Sequence, residues 1–343
     1  MLTALRFVFA LMVFGAHCYV IDGFFGAHFF KEGFVGVSFF FVLSGFIISY
    51  RYQCGMEAGA LGRKQFWVAR VARIYPLHWL TLLVAASLGG YVVADGAWDW
   101  GKHFLASLTL TNAYVPQADY FFSFNSPSWS LCCEQLFYLS FPFLVPLASG
   151  GNRLPWLFCA MSIVVVAGMY ATPEADIKAY WYVNPITRFP DFIVGMLLYR
   201  WYRRYSGRPT GRVFATAMEA GALALFLAFY IGAEYVPKVY RYSCYYWLPV
   251  SAVLGVFALQ RGLISRLLSC RPLVLGGEIS YSFYLIHLFL ILAYAAWNRE
   301  ARCNVPWQVS VPLLLAFAVG ISLVSYRYFE KPIGKYVKSL FCN

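Results

Sequence analysis

The chain has 343 residues, 61% of them hydrophobic and only 12% charged, with a mean hydropathy of +0.62. So little polar surface excludes a water-soluble globular protein and indicates an integral membrane protein. The net charge of +12 does not indicate a nucleic-acid partner, because the basic residues cluster in short loops between apolar spans.

Apolar runs long enough to cross a bilayer predict ten helices, near 3–20, 34–50, 74–94, 128–148, 154–170, 184–200, 213–233, 244–260, 279–297 and 308–326. The expected fold is all-α: a polytopic membrane protein forming one transmembrane domain over 1–343, with both termini cytoplasmic. The orientation follows from Lys and Arg in the loops. Segments 51–73, 149–153, 200–212, 261–278 and the tail from Arg327 hold five, one, five, three and four of them, against seven in the opposite loops. Residues 1–20 mimic a signal peptide, but Arg6 interrupts the usual order and no small-residue cleavage site follows, so the segment reads as a retained helix. The loop 95–127 is external, and its centre HFLASLTLTNAY suits a re-entrant or interfacial helix. The nine Cys show no paired C-x-x-C spacing, so no metal site is expected. A Cys244–Cys303 disulfide between outer loops is left open.

The first span, TALRFVFALMVFGAHCYV, carries Arg6 and His17. Their separation of eleven residues is close to three turns, so both leave one helix face, about 16 Å apart along the axis. Ionisable groups within a span usually face a protein interior or a wet cavity. The bland alternatives are an Arg6 that snorkels to the headgroups and a His17 that is merely a hydrogen-bonded core residue. GVSFFFVLSGFIISY (36–50) offers small residues, Gly36, Ser38, Ser44 and Gly45, for close helix approach. FWVARVARIYPLHWL (66–80) puts Arg70 and Arg73 on one face, with Pro76 marking a helix start or kink. Two guanidiniums so placed make a phosphate clamp, or simply obey the charge bias of cytoplasmic loops.

SPSWSLCCEQLFYLSFPFL (126–144) carries Glu134 about two turns inside its span, with Trp129, Ser130 and Tyr138 as further polar edges. A carboxylate at that depth requires a partner, and His17 or an Arg is the natural one. Arg188 and Asp191 are three apart and suited to pair with each other. Glu219 reads as a lone acid at a wet rim. GEISYSFYLIHLFL (277–290) brings a second imidazole, His287, expected nearer the cytoplasmic half than His17. Glu330 reads as a cap after the last span.

Together these stretches resemble the membrane acyltransferase-3 family, whose members O-acylate sugars and other acceptors at bacterial envelopes. The likeness rests on Arg6 and His17, GVSFFFVLSGF, RVARIYP, SPSWSLCCEQLFYL and LGGEISYSFYLIH, in the family's order along nearly the whole chain. It departs where the family often has Asp-Gly before the arginine, here Thr3-Ala4-Leu5, and where an acid pair becomes Cys133-Glu134. It also resembles the stand-alone members, which lack a C-terminal hydrolase-like domain and are expected to acylate their acceptor directly.

The resemblance implies a bacterial inner-membrane enzyme with no bound cofactor. It implies a cytoplasmic acyl-CoA co-substrate, most often acetyl-CoA, and a saccharide or lipid-linked saccharide acceptor. On that reading Arg6, Arg70 and Arg73 bind acyl-CoA, and His17 is the general base. Glu134 fixes its tautomer, and Ser130, Trp129, Tyr138, His287 and Arg188 are further candidates. An acyl-His relay is the alternative mechanism. A proton-coupled saccharide transporter or exporter is the alternative class, which would usually show two-fold repeat symmetry; none is visible.

Overall fold

A computed structural model describes residues 1–88, 94–301 and 305–341. Among these no strand forms, and the chain is a helical membrane bundle. The principal helices are α1 (Leu2–His17), α2 (Val35–Ile48), α3 (Arg63–Ser87), α4 (Gly96–Leu108), α5 (Trp129–Ser149), α6 (Arg153–Ala171) and α7 (Phe189–Tyr205). They continue with α8 (Arg212–Gly232), α9 (Trp247–Ala258), α10 (Arg271–Ala301), α11 (Trp307–Ser325) and α12 (Lys331–Phe341).

Seven helical stretches among the described residues are long and apolar enough to cross a membrane: Leu2–Val20, His28–Glu57, Ser126–Ser149, Arg153–Ala171, Arg212–Tyr235, Arg271–Ala301 and Trp307–Val337. The other three expected spans are helices α3, α7 and α9. The first is rich in arginine, and the others have 17 and 12 residues. The His28–Glu57 stretch is central, 72% of its apolar window being buried inside the protein. Arg153–Ala171 and Trp307–Val337, at 17% each, lie at the periphery, with apolar side chains facing outward as a bilayer requires.

Two boundaries differ from expectation in ways that matter for the site. Helix α3 begins at Arg63, so RVARIYP lies inside it, and Pro76 is internal. Proline donates no hydrogen bond, which leaves the Ala72 carbonyl without its helical donor, and Gly334 of α12 backs onto that oxygen. Helix α10 starts at Arg271, two turns earlier than the apolar run suggested. The helix expected around HFLASLTLTNAY, re-entrant or interfacial, is α4, which starts at Gly96, ends at Leu108 and is tied to α3. His78 Nε2 lies 2.9 Å from the Ser107 carbonyl, and Trp79 Nε1 donates to that of Leu108 at 3.1 Å.

Small residues set the closest crossings. A Cβ on Gly45 of α2 would lie 2.0 Å from the Phe192 carbonyl oxygen of α7, and one on Gly195 would lie 2.0 Å from that of Val42. Behind this crossing, Arg188 is fully buried and donates from Nε to Asp191 (2.7 Å), from Nη2 to the Ser38 hydroxyl (2.8 Å), and from Nη1 to the Tyr242 carbonyl. The expected Arg188–Asp191 pair therefore forms. Glu219 does not face a wet rim. It is buried and accepts from Gly262 N–H (2.9 Å), Ser265 N–H (3.1 Å) and the Ser265 hydroxyl, closing the start of a short helix. Cys244 is a free thiol beside Met169, and Cys303 lies outside the described residues.

Candidate active site

Helices α1 and α10 pack in parallel. A Cβ on Gly277 would stand 1.6 Å from the Thr3 carbonyl oxygen, and one on Gly276 would stand 2.5 Å from the Phe7 ring. Only glycine admits so close an approach. Ten residues above Gly277 and fourteen above Thr3, His287 and His17 meet: His17 Nδ1 lies 2.9 Å from His287 Nε2. The two imidazoles are level, contrary to the expected depth difference, because the early start of α10 lifts His287 about 24 Å along its helix.

The hydrogen bonds fix the tautomers. His287 Nδ1 lies 2.8 Å from the Tyr284 carbonyl and 3.1 Å from that of Phe283. Carbonyl oxygens only accept, so this nitrogen carries the proton. The neutral His287 then presents a lone pair at Nε2, and His17 must donate from Nδ1. His17 is left with an unprotonated Nε2, and no group hydrogen-bonds that atom among the described residues. A half-buried imidazole held this way is arranged to take a proton.

Below the pair, a small cleft opens between α1, α2, α5 and α10, lined by Arg6, Phe40, Phe41, Ser130, Glu134, Tyr281 and Tyr284. Tyr284 links it to the histidines, since its backbone carbonyl receives the His287 proton. Ser130 donates to the Pro127 carbonyl (3.0 Å). Glu134 is not the orienting partner of His17. It accepts from the Tyr138 hydroxyl at 2.7 Å, and its charge acts on Arg6 and Arg73. The orienting role falls to His287, because α10 rather than α5 packs along the His17 face of α1.

The three expected phosphate-binding arginines are not equivalent. Arg73 pairs with Glu330, whose other oxygen accepts from the Ser282 hydroxyl at 2.7 Å. Glu330 is thus a buried counter-charge rather than a surface cap. It ends a π-helical stretch, Tyr326–Glu330, which turns its carboxylate inward. Arg70 donates to the Tyr52 hydroxyl (2.6 Å) and lies over that ring, without an ion pair among the described residues. Arg6 faces the cleft and has neither hydrogen bond nor ion pair among them. Arg6 and Arg70 therefore carry the uncommitted positive charge. Arg188 sits behind Phe41 with its donors spent, so it does not line the cleft. Trp129 is buried against Tyr182, ring centroids 4.6 Å apart.

Glu330 lies 257 residues from its partner Arg73, beyond the reach of any local pattern. Tyr284 had a signal, being one turn before His287 on the polar edge of that helix. Of the outer aromatic residues, Trp181 is buried and donates to Thr172 (2.8 Å), while Trp98 is exposed.

A membrane bundle with a hydrogen-bonded His pair above an arginine-bearing cleft defines a class of multi-pass proteins that hold ionisable groups together within the bundle. Residues 2–327 match the acyltransferase-3 family, described as an acyltransferase domain. The chain belongs to this family and is an acyltransferase, which answers the transporter alternative. It is 29% identical over 325 residues to the acyltransferase MdmB of Streptomyces mycarofaciens, covering 85% of this chain and 79% of that one. It is 28% identical over 308 residues to the exopolysaccharide production protein ExoZ of Rhizobium meliloti, covering 89% and 91%. It is 28% identical over 332 residues to the peptidoglycan O-acetyltransferase OatA of Listeria monocytogenes, covering 89% of this chain but only 52% of that one. No solved structure matches the chain.

Proposed function

We propose that the protein is an O-acyltransferase of the bacterial inner membrane, moving an acyl group, acetyl in the first instance, from acyl-CoA to a saccharide hydroxyl. The relatives named for peptidoglycan O-acetylation and exopolysaccharide production support a saccharide acceptor. Arg6 and Arg70 hold the CoA phosphates at one end of the cleft, and the thioester extends toward the histidines. His17 Nε2 removes the proton of the acceptor hydroxyl as its oxygen attacks the thioester carbonyl. The C–S bond breaks, and the CoA thiolate leaves and recovers that proton, giving ester and free CoA. His287 accepts from Nδ1–H throughout and steadies the imidazolium.

The observation that carries this reading is the tautomer chain from the Tyr284 carbonyl through His287 to a free lone pair on His17. Its test is acyl transfer in membrane-embedded protein supplied with radiolabelled acetyl-CoA and an envelope saccharide extract. Label reaching saccharide with wild type but not with His17→Ala is the expected result. Equal label with both variants would remove His17 from the chemistry. Label retained on wild-type protein without acceptor would point to an acyl-His17 relay.

A further inference from the structure

The cleft beneath the histidines has a volume of about 50 Å³. A cavity of about 150 Å³ takes a benzene ring, so this one takes a group of only a few non-hydrogen atoms. Its apolar walls are Val37, Phe40 and Phe41 of α2 and Leu131 of α5. The three α2 residues stand at i, i+3 and i+4, on one face of that helix. Arg6, Glu134 and Tyr284 also line the space, the last one turn before His287. Of the groups that acyl transfer brings together, CoA and a sugar ring are too large and too polar for it. The acyl group of a short donor fits: acetyl has three non-hydrogen atoms and an apolar end.

The two phenylalanines are held differently. Phe41 is buried, edge-on to Phe137 with centroids 5.2 Å apart, and the Arg188 guanidinium stands 5.0 Å from its ring. That wall is fixed by its surroundings. Phe40 is half-buried and meets the Tyr284 ring edge-on at 6.2 Å. Trimming Phe40 lengthens the cleft by the space of one aromatic ring and strands no buried charge.

We infer that this cleft receives the acyl group of the donor, and that Phe40 and Val37 set the length of chain it accepts, with acetyl the best substrate. The inference rests on the acyltransfer reading and narrows its donor. The bonds exchanged are the same for every chain length: the thioester C–S bond breaks, the ester C–O bond forms, and the hydroxyl proton leaves with CoA. Only the fit of the chain changes, and one methylene in an apolar pocket is worth about 10-fold to 200-fold in kcat/KM.

The test uses full-length protein in membranes with an envelope saccharide extract and an equimolar mixture of acetyl-, propionyl- and butanoyl-CoA. The acyl groups on the saccharide are counted by mass spectrometry, and each ratio is taken within one sample, so the folded fraction cancels. Wild type is expected to transfer acetyl at least about 10-fold in preference to butanoyl, with propionyl between them. Phe40→Ala should raise the butanoyl-to-acetyl ratio by about 10-fold or more. Val37→Ala, a milder change that keeps the test open if Phe40→Ala does not fold, should raise it by less. Equal transfer of all three groups by wild type, or a ratio that neither variant moves, overturns the inference and leaves the acyltransfer reading standing. No acyl group on the saccharide from any donor overturns that reading, and the inference with it.

Discussion

His287 touches neither substrate in this geometry, so its contribution passes through His17. Replacing it with alanine removes the acceptor that holds His17 Nδ1–H and leaves Nε2 free to take the proton instead. His287→Ala should lower kcat by about 10²–10⁴ while KM for donor and acceptor stays within about twofold. A steady-state comparison with wild type decides it: a KM change matching the loss in kcat would mean that the residue only holds the fold. Arg188 presents the opposite case. Its charge is fully buried and satisfied by Asp191, Ser38 and the Tyr242 carbonyl, away from the cleft. Arg188→Met strands the Asp191 carboxylate and should cost about 3–5 kcal/mol of stability. The paired change Arg188→Met with Asp191→Leu should cost less than the single one, read as thermal unfolding midpoints in detergent. The i, i+3 spacing of Arg188 and Asp191 made their pairing legible in the sequence. The partner of His17 was not: Glu134 was expected to orient it and His287 was expected nearer the cytoplasmic half, whereas the packing of α10 against α1 brings His287 to His17.

Between elements, glycines decide which helix faces meet. The α1–α10 contact is closest at Thr3 and Gly277, where a methyl group has no room. Gly277→Ala must push the helices apart near their lower ends, and the His17–His287 hydrogen bond lies farther along the same interface. Overpacking a close contact costs about 1–3 kcal/mol. The variant should therefore lose stability by that amount and lose acyl transfer in greater proportion, because a bond of 2.9 Å tolerates little separation. Gly45→Ala, at the α2–α7 crossing, supplies the contrast. It disturbs a contact remote from the imidazoles and should lower stability at least as much with a smaller effect per folded molecule. Measuring folded fraction and labelled product on the same samples separates the two. The sequence flagged Gly45 as a small residue fit for helix approach, and the structure gives it that role. Gly277 lay in a stretch prized for its polar edge, and its packing role needed the partner helix.

At the scale of the molecule, the all-α membrane architecture was legible from hydropathy alone, and among the described residues each expected span overlaps a helix. Their bounds were less legible where a span carries charge or runs short: α3 hides arginines inside a helix, and α7 ends in a basic turn with Arg203 and Arg204. Helix α7 is the sharpest case. Its 17 residues rise about 26 Å, somewhat under a bilayer core, yet Phe192, Ile193 and Met196 are completely buried and it crosses the central α2. A helix that short in the middle of a bundle spans when its neighbours satisfy its ends and the bilayer thins slightly around it. Glu174 and Arg208 are exposed on either side of α7, with no other long helix between them. In a cysteine-free background, Glu174→Cys should react with a membrane-impermeant maleimide in intact cells, and Arg208→Cys only after permeabilisation. That outcome makes α7 a crossing helix and puts the basic segment 200–212 in the cytoplasm, as the charge bias requires. Both sites labelled from outside would mean that α7 turns back, and the donor and acceptor would then have to reach the cleft from the same face.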